Sequence, residues 1–315
     1  MSRLPLRFAI LAPLLLCSCE SDPGEENPPP LGGTELQGSI EGVLAIGQSP
    51  FLVVQDVHVD SLSTLTIEPG VNILFHDSTS LKVYGTIHAV GAASTPINFT
   101  GLDNTWFGIE IANSASDNVL QFCNFNRVFI TDPDISEFGA LAVNNSRATI
   151  TNCIFQDNSV MNGGGMSVID SEVDVMNNVF MDNHAVTFGG AIIAIRSQTR
   201  IHNNTIFHNS STNYGGGVVL IDPVFDDVQN NIFYLNSGQT GDPRITIHSG
   251  DSTQCSSQFN FMWQENMNPR FVSGSNVRLL WDSPCVDQGN PHAEFNDADG
   301  TRNDQGAYGG PSGDW

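Results

Sequence analysis

The 315-residue chain has few basic side chains, with 11 lysines and arginines against 34 aspartates and glutamates, for a formal net charge of −23. Lys82 is the only lysine. A strongly negative field repels nucleic acid and anionic lipid headgroups, so both are excluded as expected partners. Apolar residues also fail to recur every three or four positions, so a helical bundle is not expected.

Long apolar runs are missing except near the start, at residues 8–16, behind two arginines. A run of this length after a short basic stretch is typical of a secretory signal and is too short to span a membrane. The Leu-Cys-Ser-Cys segment at 16–19 resembles a lipoprotein signal box, in which a small residue precedes the acylated cysteine. We therefore expect residues 1–19 to be a lipoprotein signal peptide with Cys19 lipidated. An ordinary secretory peptide is the alternative.

Residues 20–35 are acidic, rich in proline and glycine, and contain one large apolar side chain. They bury too little surface to fold and are expected to form a disordered, extended tether. A lipid on Cys19 would make the membrane a partner and would place the following domain in the cell envelope, at the outer membrane or the cell surface.

A repeat of about 26 residues dominates the rest of the chain. Asn158, Asn183, Asn209 and Asn236 recur at steps of 25, 26 and 27 residues. One coil of three short strands accounts for this length, with coils stacked about 4.8 Å apart. The pattern predicts an all-β parallel β-helix over residues 36–250. Three further columns keep the same register: Gly108, Gly139, Gly164, Gly190 and Gly216; Phe125, Phe155, Phe180, Ile206 and Phe233; and Asn152, Asn177, Asn203 and Asn230.

The columns have distinct chemical roles in such a stack. Asparagine tolerates left-handed backbone angles and its amide both donates and accepts, so the column that begins at Asn152 is predicted to form a ladder. Glycine would supply positive φ at a second corner. Cys123 and Cys153 are predicted to stack in the core as free thiols, in a column that continues through Asn178, Asn204 and Asn231.

With its first coils over residues 36–105, the repeat resembles bacterial right-handed parallel β-helix proteins of the pectin-lyase-like superfamily. The resemblance covers most of residues 40–250 and implies a fold without one function, because solenoids host many activities. Residues 251–315 lose the period and are expected to form an irregular capping region. Within them, residues 283–290 and 299–311 resemble the choice-of-anchor Q tail of secreted β-helix proteins, which implies a surface or extracellular setting.

Cysteine usage in this last region suggests a covalent link. Cys285 stands where the resembled tail usually has a small residue, and Cys255 precedes it by 30 positions. Because an exported protein meets an oxidising compartment, a Cys255–Cys285 disulfide is predicted.

Three carboxylates in the same region, Asp297, Asp299 and Asp304, cluster around a glycine. Carboxylates at alternate positions before a glycine turn can bind Ca²⁺, but the usual third oxygen ligand is replaced by Phe295. The preferred interpretation is a capping turn that hydrogen-bonds its own backbone. No cofactor is therefore expected, with Ca²⁺ as the alternative.

Charges of alternating sign follow two outward columns. Such columns can be exposed charge ladders that relieve repulsion between coils, at about 0–1 kcal/mol per pair. They can also form a sugar-binding or catalytic groove. The first column contains Asn145, Asp170, Arg196, Asp222 and His248, and the second contains Asp174, Arg200 and then Asp226 or Asp227.

An enzyme would need particular residues. Lyases of the resembled fold use an arginine or lysine base, and a guanidinium held by carboxylates is a poor base. Glycosidases use clustered aspartates, for which Asp222, Asp226 and Asp227, with Arg196, are the candidates. Adjacent strand residues point to opposite faces, however, and the resembled glycosidases' Asn-Thr-Asp, Gly-His-Gly and Arg-Ile-Lys signatures are not found.

The sequence therefore favours a non-catalytic surface scaffold that acts as a spacer, adhesin or glycan binder, with extracellular polysaccharide as its soluble partner. A polysaccharide lyase or glycoside hydrolase is the alternative. Trp106, Trp263 and Trp281 help to decide, because an exposed tryptophan favours sugar stacking and a buried one favours packing.

Overall fold

A computed structural model describes residues 32–102, 106–130, 139–313 and 315. The described residues contain 30 β-strands and three 3-10 turns, at Ile46–Gln48, Ser252–Gln254 and Ala293–Phe295. Among the described residues, no helix has the length and apolar character needed to cross a membrane. The predicted signal peptide, Cys19 and most of the proposed tether lie outside the described residues.

One regular coil shows how the sequence folds locally. Its four strands, Met166–Ile169, Glu172–Met176, Val179–Met181 and His184–Phe188, are separated by only two residues at each corner. A polar residue with positive φ stands at each corner: Asp170 at 48°, Asn177 at 56° and Asp182 at 56°. Asparagine and aspartate adopt this left-handed conformation more readily than other non-glycine residues, so they turn the chain without a loop. We number the four stacks of strands in this order.

Strands of successive coils pair in parallel, as in the series Asp174, Arg200 and Asp227. The first stack contains Leu81–Val83, Ile109–Ala112, Leu141–Asn144, Met166–Ile169, Ile192–Ile195, Val218–Ile221 and Ile245–Ser249. The second contains Gly42–Leu44, Thr64–Ile67, Thr86–Val90, Asp117–Gln121, Arg147–Thr151, Glu172–Met176, Gln198–His202, Phe225–Gln229 and Cys255–Gln258.

The third stack contains Asn72–Phe75, Ile97–Gly101, Cys123–Asn126, Ile154–Gln156, Val179–Met181, Thr205–Phe207, Ile232–Tyr234 and Phe261–Met262. Strand Phe51–Val59 pairs with both the first and third stacks and with Thr34–Ser39, and so joins them into one sheet. The fourth stack contains Ser159–Asn162, His184–Phe188, Ser210–Tyr214 and Ser237–Thr240. This architecture is the predicted all-β parallel solenoid.

Aromatic rings stacked along the axis fill the interior. The ring of Phe125 lies 4.6 Å from that of Phe155, which lies 4.7 Å from that of Phe180, with planes within 4° of parallel. Ile206 and Phe233 continue this column, and all five side chains are fully buried. Burial of each such side chain contributes about 1.5–3 kcal/mol, so this predicted column is confirmed as a main source of stability.

Two asparagine columns form ladders inside the coil. The amide of Asn183 donates to Asn209 at 2.9 Å, and Asn158 and Asn236 extend this ladder in both directions. The second ladder, which we call the inner asparagine column, runs through Asn178, Asn204, Asn231 and Asn260 with amide contacts of 2.9–3.1 Å. Cys123 and Cys153 begin this column as buried free thiols, as predicted.

The predicted ladder of Asn152, Asn177, Asn203 and Asn230 is wrong by one position. These residues, the outer asparagine column, have φ between 51° and 61° and turn their amides away from the coil interior. Only one contact joins two of them, from Asn230 to Asn203 at 3.3 Å. The physical reason is alternation: neighbouring residues point in opposite directions, and the interior place is taken by the following residue.

The outer column instead binds the C-terminal tail, residues 263–315. Asn203 donates to Asn303 and to the Asp304 carbonyl at 3.0 Å each, and Asn177 donates to the Gly309 carbonyl at 2.7 Å. Asn152 donates to the Ser312 carbonyl at 2.9 Å. The tail therefore crosses successive coils from the end of the solenoid back toward its middle, where Trp315 contacts Phe122.

The glycine column also differs from the prediction. Gly108, the first predicted member, has the expected positive φ, at 78°. In the regular coils, positive φ instead belongs to Gly163, Gly189 and Gly215, one residue before the predicted members. The predicted residue Gly190 has another function: a Cβ there would lie 2.4 Å from the Gly216 carbonyl oxygen. Glycine is needed at that position because successive chains approach too closely for any side chain.

The ends of the solenoid lie slightly outside the predicted limits. Thr34 and Glu35, assigned to the tether, already pair with Phe51 and Leu52. At the other end, the strands Cys255–Gln258 and Phe261–Met262 belong to a last coil beyond residue 250. Gly33–Trp315 forms one compact unit.

The predicted disulfide is absent, because Cys255 and Cys285 are both free thiols. Cys255 packs against the main core at its last coil. Cys285 lies in a separate cluster with Ile232 and Phe261, where the tail covers the solenoid. Burial raises the pKa of Cys255 to about 11 and that of Cys285 to about 12.

Candidate functional site

The outward charges lie at the corner between the first and second stacks and along the adjoining strands of the second stack. Arg196 donates from Nε and Nη2 to the two carboxylate oxygens of Asp170, at 2.8 and 2.7 Å. These bonds lower the pKa of Asp170 and raise the pKa of Arg196. Arg200 makes a similar two-bond contact with Asp174, which raises the pKa of Arg200. The inter-coil ion pairs of the charge-ladder interpretation are therefore present.

A shallow groove of about 560 Å³ follows this ladder. Its walls are themselves paired, because Arg147 Nε lies 3.1 Å from Glu172 and Arg196 is held by Asp170. Exposed pairs of this kind contribute little to stability. They do place a carboxylate beside each guanidinium, which favours its charged form, so neither arginine is disposed to act as a base.

His248 does not belong to this charged column, contrary to the prediction. The register shifts within strand Ile245–Ser249, so Ile221 pairs with Ser249. The shift displaces the histidine onto a small aromatic cluster, where its ring lies 4.9 Å from Phe188 and 4.7 Å from Tyr214.

The three candidate catalytic aspartates point in three directions. Asp226 faces the interior, is 1% exposed and accepts hydrogen bonds from the backbone and hydroxyl of Thr199. Asp227 faces outward, 2.9 Å from His202 Nε2. Asp222 occupies a corner with φ of 49° and accepts from Ser249 at 3.0 Å. Strand alternation separates Asp226 from Asp227, and the three aspartates do not assemble the acid–base group of the alternative enzyme interpretation.

Burial is the main influence on Asp226. It raises the pKa of this carboxyl to about 6, partly offset by the hydrogen bonds from Thr199. A raised pKa is typical of a catalytic acid only where substrate can reach the group. Because the side chain lies inside the coil, its pKa reflects packing.

The tail aspartates bind backbone groups of their own segment. Asp299 accepts from the Thr301 backbone and hydroxyl at 2.9 and 2.6 Å, and Asp304 accepts from the Asp287 backbone at 2.7 Å. Both oxygens of Asp297 accept from the Asp304 backbone at 3.1 Å. Across residues 32–102, 106–130, 139–313 and 315, no three acidic, histidine or cysteine side chains are arranged to hold a metal ion. The arrangement is that of the capping turn.

The tryptophans are divided between core and surface. Trp106 is fully buried and stacks on Phe75 at 4.1 Å. Trp263, the first residue of the tail, packs edge-on against Tyr234 at 6.4 Å. Trp281 is 88% exposed. None of the three lines the charged groove.

A second concave site lies on the outer side of the first stack, in the early coils. It is a cleft of about 260 Å³. The paired strands place Lys82 beside Glu110, with Nζ 3.7 Å from Oε2, and Asn144 donates to the other oxygen of Glu110 at 2.8 Å. We call this the Lys82 cleft; its side chains include Asp56, Ser80, Lys82, Phe107, Glu110 and Asn144.

Sequence reasoning did not single out Asp56, Glu110 or Asn144. The coils that carry them have irregular lengths, so column counting from the regular repeat does not align Glu110 with Lys82. One signal was available: a single lysine in so acidic a chain calls for a carboxylate neighbour.

Residues 71–260 match a family model described as right handed beta helix region, which covers more than half of the chain. A segment of 75 residues is 39% identical to Protein bark beetle of Drosophila melanogaster, and this match spans 23% of the chain and 2% of that protein. The crystal structure of pectate lyase Pel9A is similar over 89% of this chain and 84% of that one, at 14% identity and a TM-score of 0.47.

Proposed function

Since the chain belongs to the right-handed β-helix family, we propose that it is a non-catalytic, lipid-anchored surface protein whose solenoid is a rigid scaffold for binding extracellular polysaccharide. The observation that carries the proposal is the self-pairing of the outer charges. Arg196 and Arg200 are each held by a carboxylate of the neighbouring coil, and Asp226 is buried. These groups serve the fold, and a catalytic group is not assembled from them.

Rigidity supports the scaffold role. The inner asparagine column and the stacked phenylalanines connect each coil to the next along the axis. The tail adds contacts that run across several coils at once. A solenoid braced in this way holds ligand-binding side chains at constant spacing, which lowers the ordering cost of binding.

Display at a membrane is supported by the sequence before Gly33. The signal-box resemblance places the lipid on Cys19, and the acidic, proline-rich segment would hold the solenoid away from the bilayer. The resemblance of the tail to choice-of-anchor Q regions also favours a surface setting.

The anchor is tested by expressing the full chain in a bacterial host and separating membrane from soluble material. Wild type and the matched variant Cys17→Ala should sediment with the membrane and carry a lipid by intact mass. Cys19→Ala should be soluble with an unchanged circular dichroism spectrum. Membrane association of Cys19→Ala would refute the anchor.

The absence of catalysis is tested by incubating the full chain with neutral and acidic polysaccharides. We expect no new reducing ends and no unsaturated products that absorb in the ultraviolet. Turnover that disappears in Asp222→Asn, with the solenoid intact, would establish the enzyme alternative.

A further inference from the structure

The Lys82 cleft contains an acceptor that the described residues do not satisfy. The Oδ1 atom of Asn144 is buried and has no hydrogen-bond partner among the described residues, although its Nδ2 donates to Glu110 at 2.8 Å. A buried acceptor without a partner costs about 1–3 kcal/mol. Asn144 lines the cleft, so rotation of its amide toward a ligand that carries an O–H or N–H donor would satisfy this acceptor.

The charged groups around this amide are only loosely paired. Lys82 Nζ lies 3.7 Å from Glu110, beyond the usual length of a charged hydrogen bond, and both side chains are partly exposed. Asp56 uses one oxygen to accept from the Ser80 backbone and hydroxyl, at 2.9 Å each. The cleft thus offers carboxylate acceptors and an ammonium donor within one small volume.

The sign of the charge selects among ligands. Two carboxylates and one ammonium give the cleft a net negative charge, within a chain of net charge −23. An anionic sugar would be repelled by this field. A neutral ligand rich in hydroxyl groups can use the same acceptors without a charge penalty.

One wall of the cleft is apolar. Phe107 is partly buried against the core and is followed by Gly108 and Ile109, which also line the cleft. Sugar rings present an apolar face and a rim of hydroxyls, and binding sites that combine an aromatic wall with a few polar groups match that shape. The cleft volume of about 260 Å³ limits the ligand to a short segment of chain.

We propose that the Lys82 cleft binds a short segment of a neutral glycan, with Glu110, Asn144 and Lys82 contacting its hydroxyls and Phe107 contacting a ring face. This inference deepens the proposed polysaccharide-binding role and rests on it. It does not depend on the lipid anchor, because all of these side chains belong to the solenoid.

Isothermal titration of the detergent-solubilised full chain tests the site with cellohexaose, xylohexaose, mannohexaose and chitohexaose, and with hexagalacturonate as the anionic probe. We expect at least one neutral hexasaccharide to bind and hexagalacturonate to bind more weakly. Glu110→Gln and Asn144→Leu should each weaken the neutral ligand about tenfold or more, corresponding to about 1.4 kcal/mol. Glu172→Gln, in the charged groove, should bind as wild type.

Three results would overturn the site: no neutral hexasaccharide binds, hexagalacturonate binds best, or the ligand is weakened only by Glu172→Gln. Glu110→Gln is the conservative variant, and its melting temperature should match wild type, so a loss of binding there is not a loss of folding. Binding by Cys19→Ala at wild-type strength would keep this result separate from the outcome of the anchor experiment.

Discussion

The inner and outer asparagine columns occupy adjacent positions in each coil, yet they hold together different parts of the molecule. Asn204 is fully buried and exchanges amide hydrogen bonds with Asn178 and Asn231 in the coils on either side. Asn203 stands at a corner with φ of 51° and binds Asn303 and Asp304 of the tail. Of two adjacent residues, Asn204 therefore bonds coil to coil along the axis, and Asn203 attaches the tail.

A similar contrast between adjacent inward and outward residues occurs on the second stack. Asp226 faces inward and is desolvated, whereas Asp227 faces outward and bonds His202 and Gln229. Identical side chains therefore acquire different environments from the direction in which a strand presents them. Matched substitutions at an inner and an adjacent outer position test whether the two environments also differ in their contribution to stability.

The largest effect is expected for Asn204→Ala. The substitution removes the acceptor for the Asn178 backbone and amide and the donor to the Val175 carbonyl, all inside the coil. We expect a loss of about 3 kcal/mol in the free energy of unfolding, since several buried groups lose their partners. Urea denaturation followed by circular dichroism measures it. A loss no greater than that of Asn203→Gly would show that the two columns are energetically equivalent.

The period of the repeat was sufficient to predict the solenoid, because stacked coils require matching side chains at equal intervals. It was not sufficient to choose between Asn177 and Asn178, since both recur with the same step. Cys153 could have decided the choice, because it shares a column with Asn178 and a buried thiol indicates that this column faces the interior. The contacts of Asn203 with Asn303, 100 positions away, have no periodic signal in the sequence.

The next largest effect is a gain in stability, expected for Asp226→Asn. Ionised Asp226 is buried, and its pKa is raised to about 6 chiefly by desolvation. Stability from a group with a raised folded pKa is fully present below the unfolded value near 4 and is lost as pH rises through about 6. Asp226→Asn should therefore stabilise the protein at pH 8 by about 1–2 kcal/mol, with little difference at pH 4. Urea denaturation at both pH values measures this.

Asp227→Asn is the matched outer control for that experiment. Its side chain contacts His202 and Gln229 at the surface, so the same substitution should give no gain at pH 8. Equal stabilisation by both variants would mean that net charge, rather than burial of Asp226, controls the effect.

A smaller effect is expected for Asn203→Gly. Glycine retains the left-handed backbone but removes the amide that binds the tail. We expect a loss of about 1 kcal/mol, together with faster hydrogen exchange in the tail near Asn303 and Gly306. Exchange in the coil interior, for example at Asn204, should be unchanged. Tail exchange at the wild-type rate would show that other contacts hold the tail.

The smallest effect concerns pH and the attachment of the tail. Burial raises the pKa of Asp304 to about 6, with further contributions from the neighbouring carboxylates Asp297 and Asp287, and burial also raises the pKa of Asp297. As pH falls from 7 to 5, Asp304 takes up a proton and repulsion within the tail decreases. Attachment to the solenoid should therefore tighten over the same range in which Asp226 becomes neutral in the core.

Hydrogen exchange at the tail amides of Gly306 and Ala307 reports this attachment, because they donate to Asn230 and Thr205 of the solenoid. After correction for intrinsic rates, their exchange should slow by about threefold between pH 7 and pH 5. This change is smaller than the roughly tenfold change that one unit of pKa shift implies, because Asp304 is partly exposed. Asp304→Asn, which can still accept from the Asp287 backbone, should lose most of this dependence. If the variant kept the wild-type dependence, the titrating group would lie elsewhere and tail attachment would not depend on Asp304.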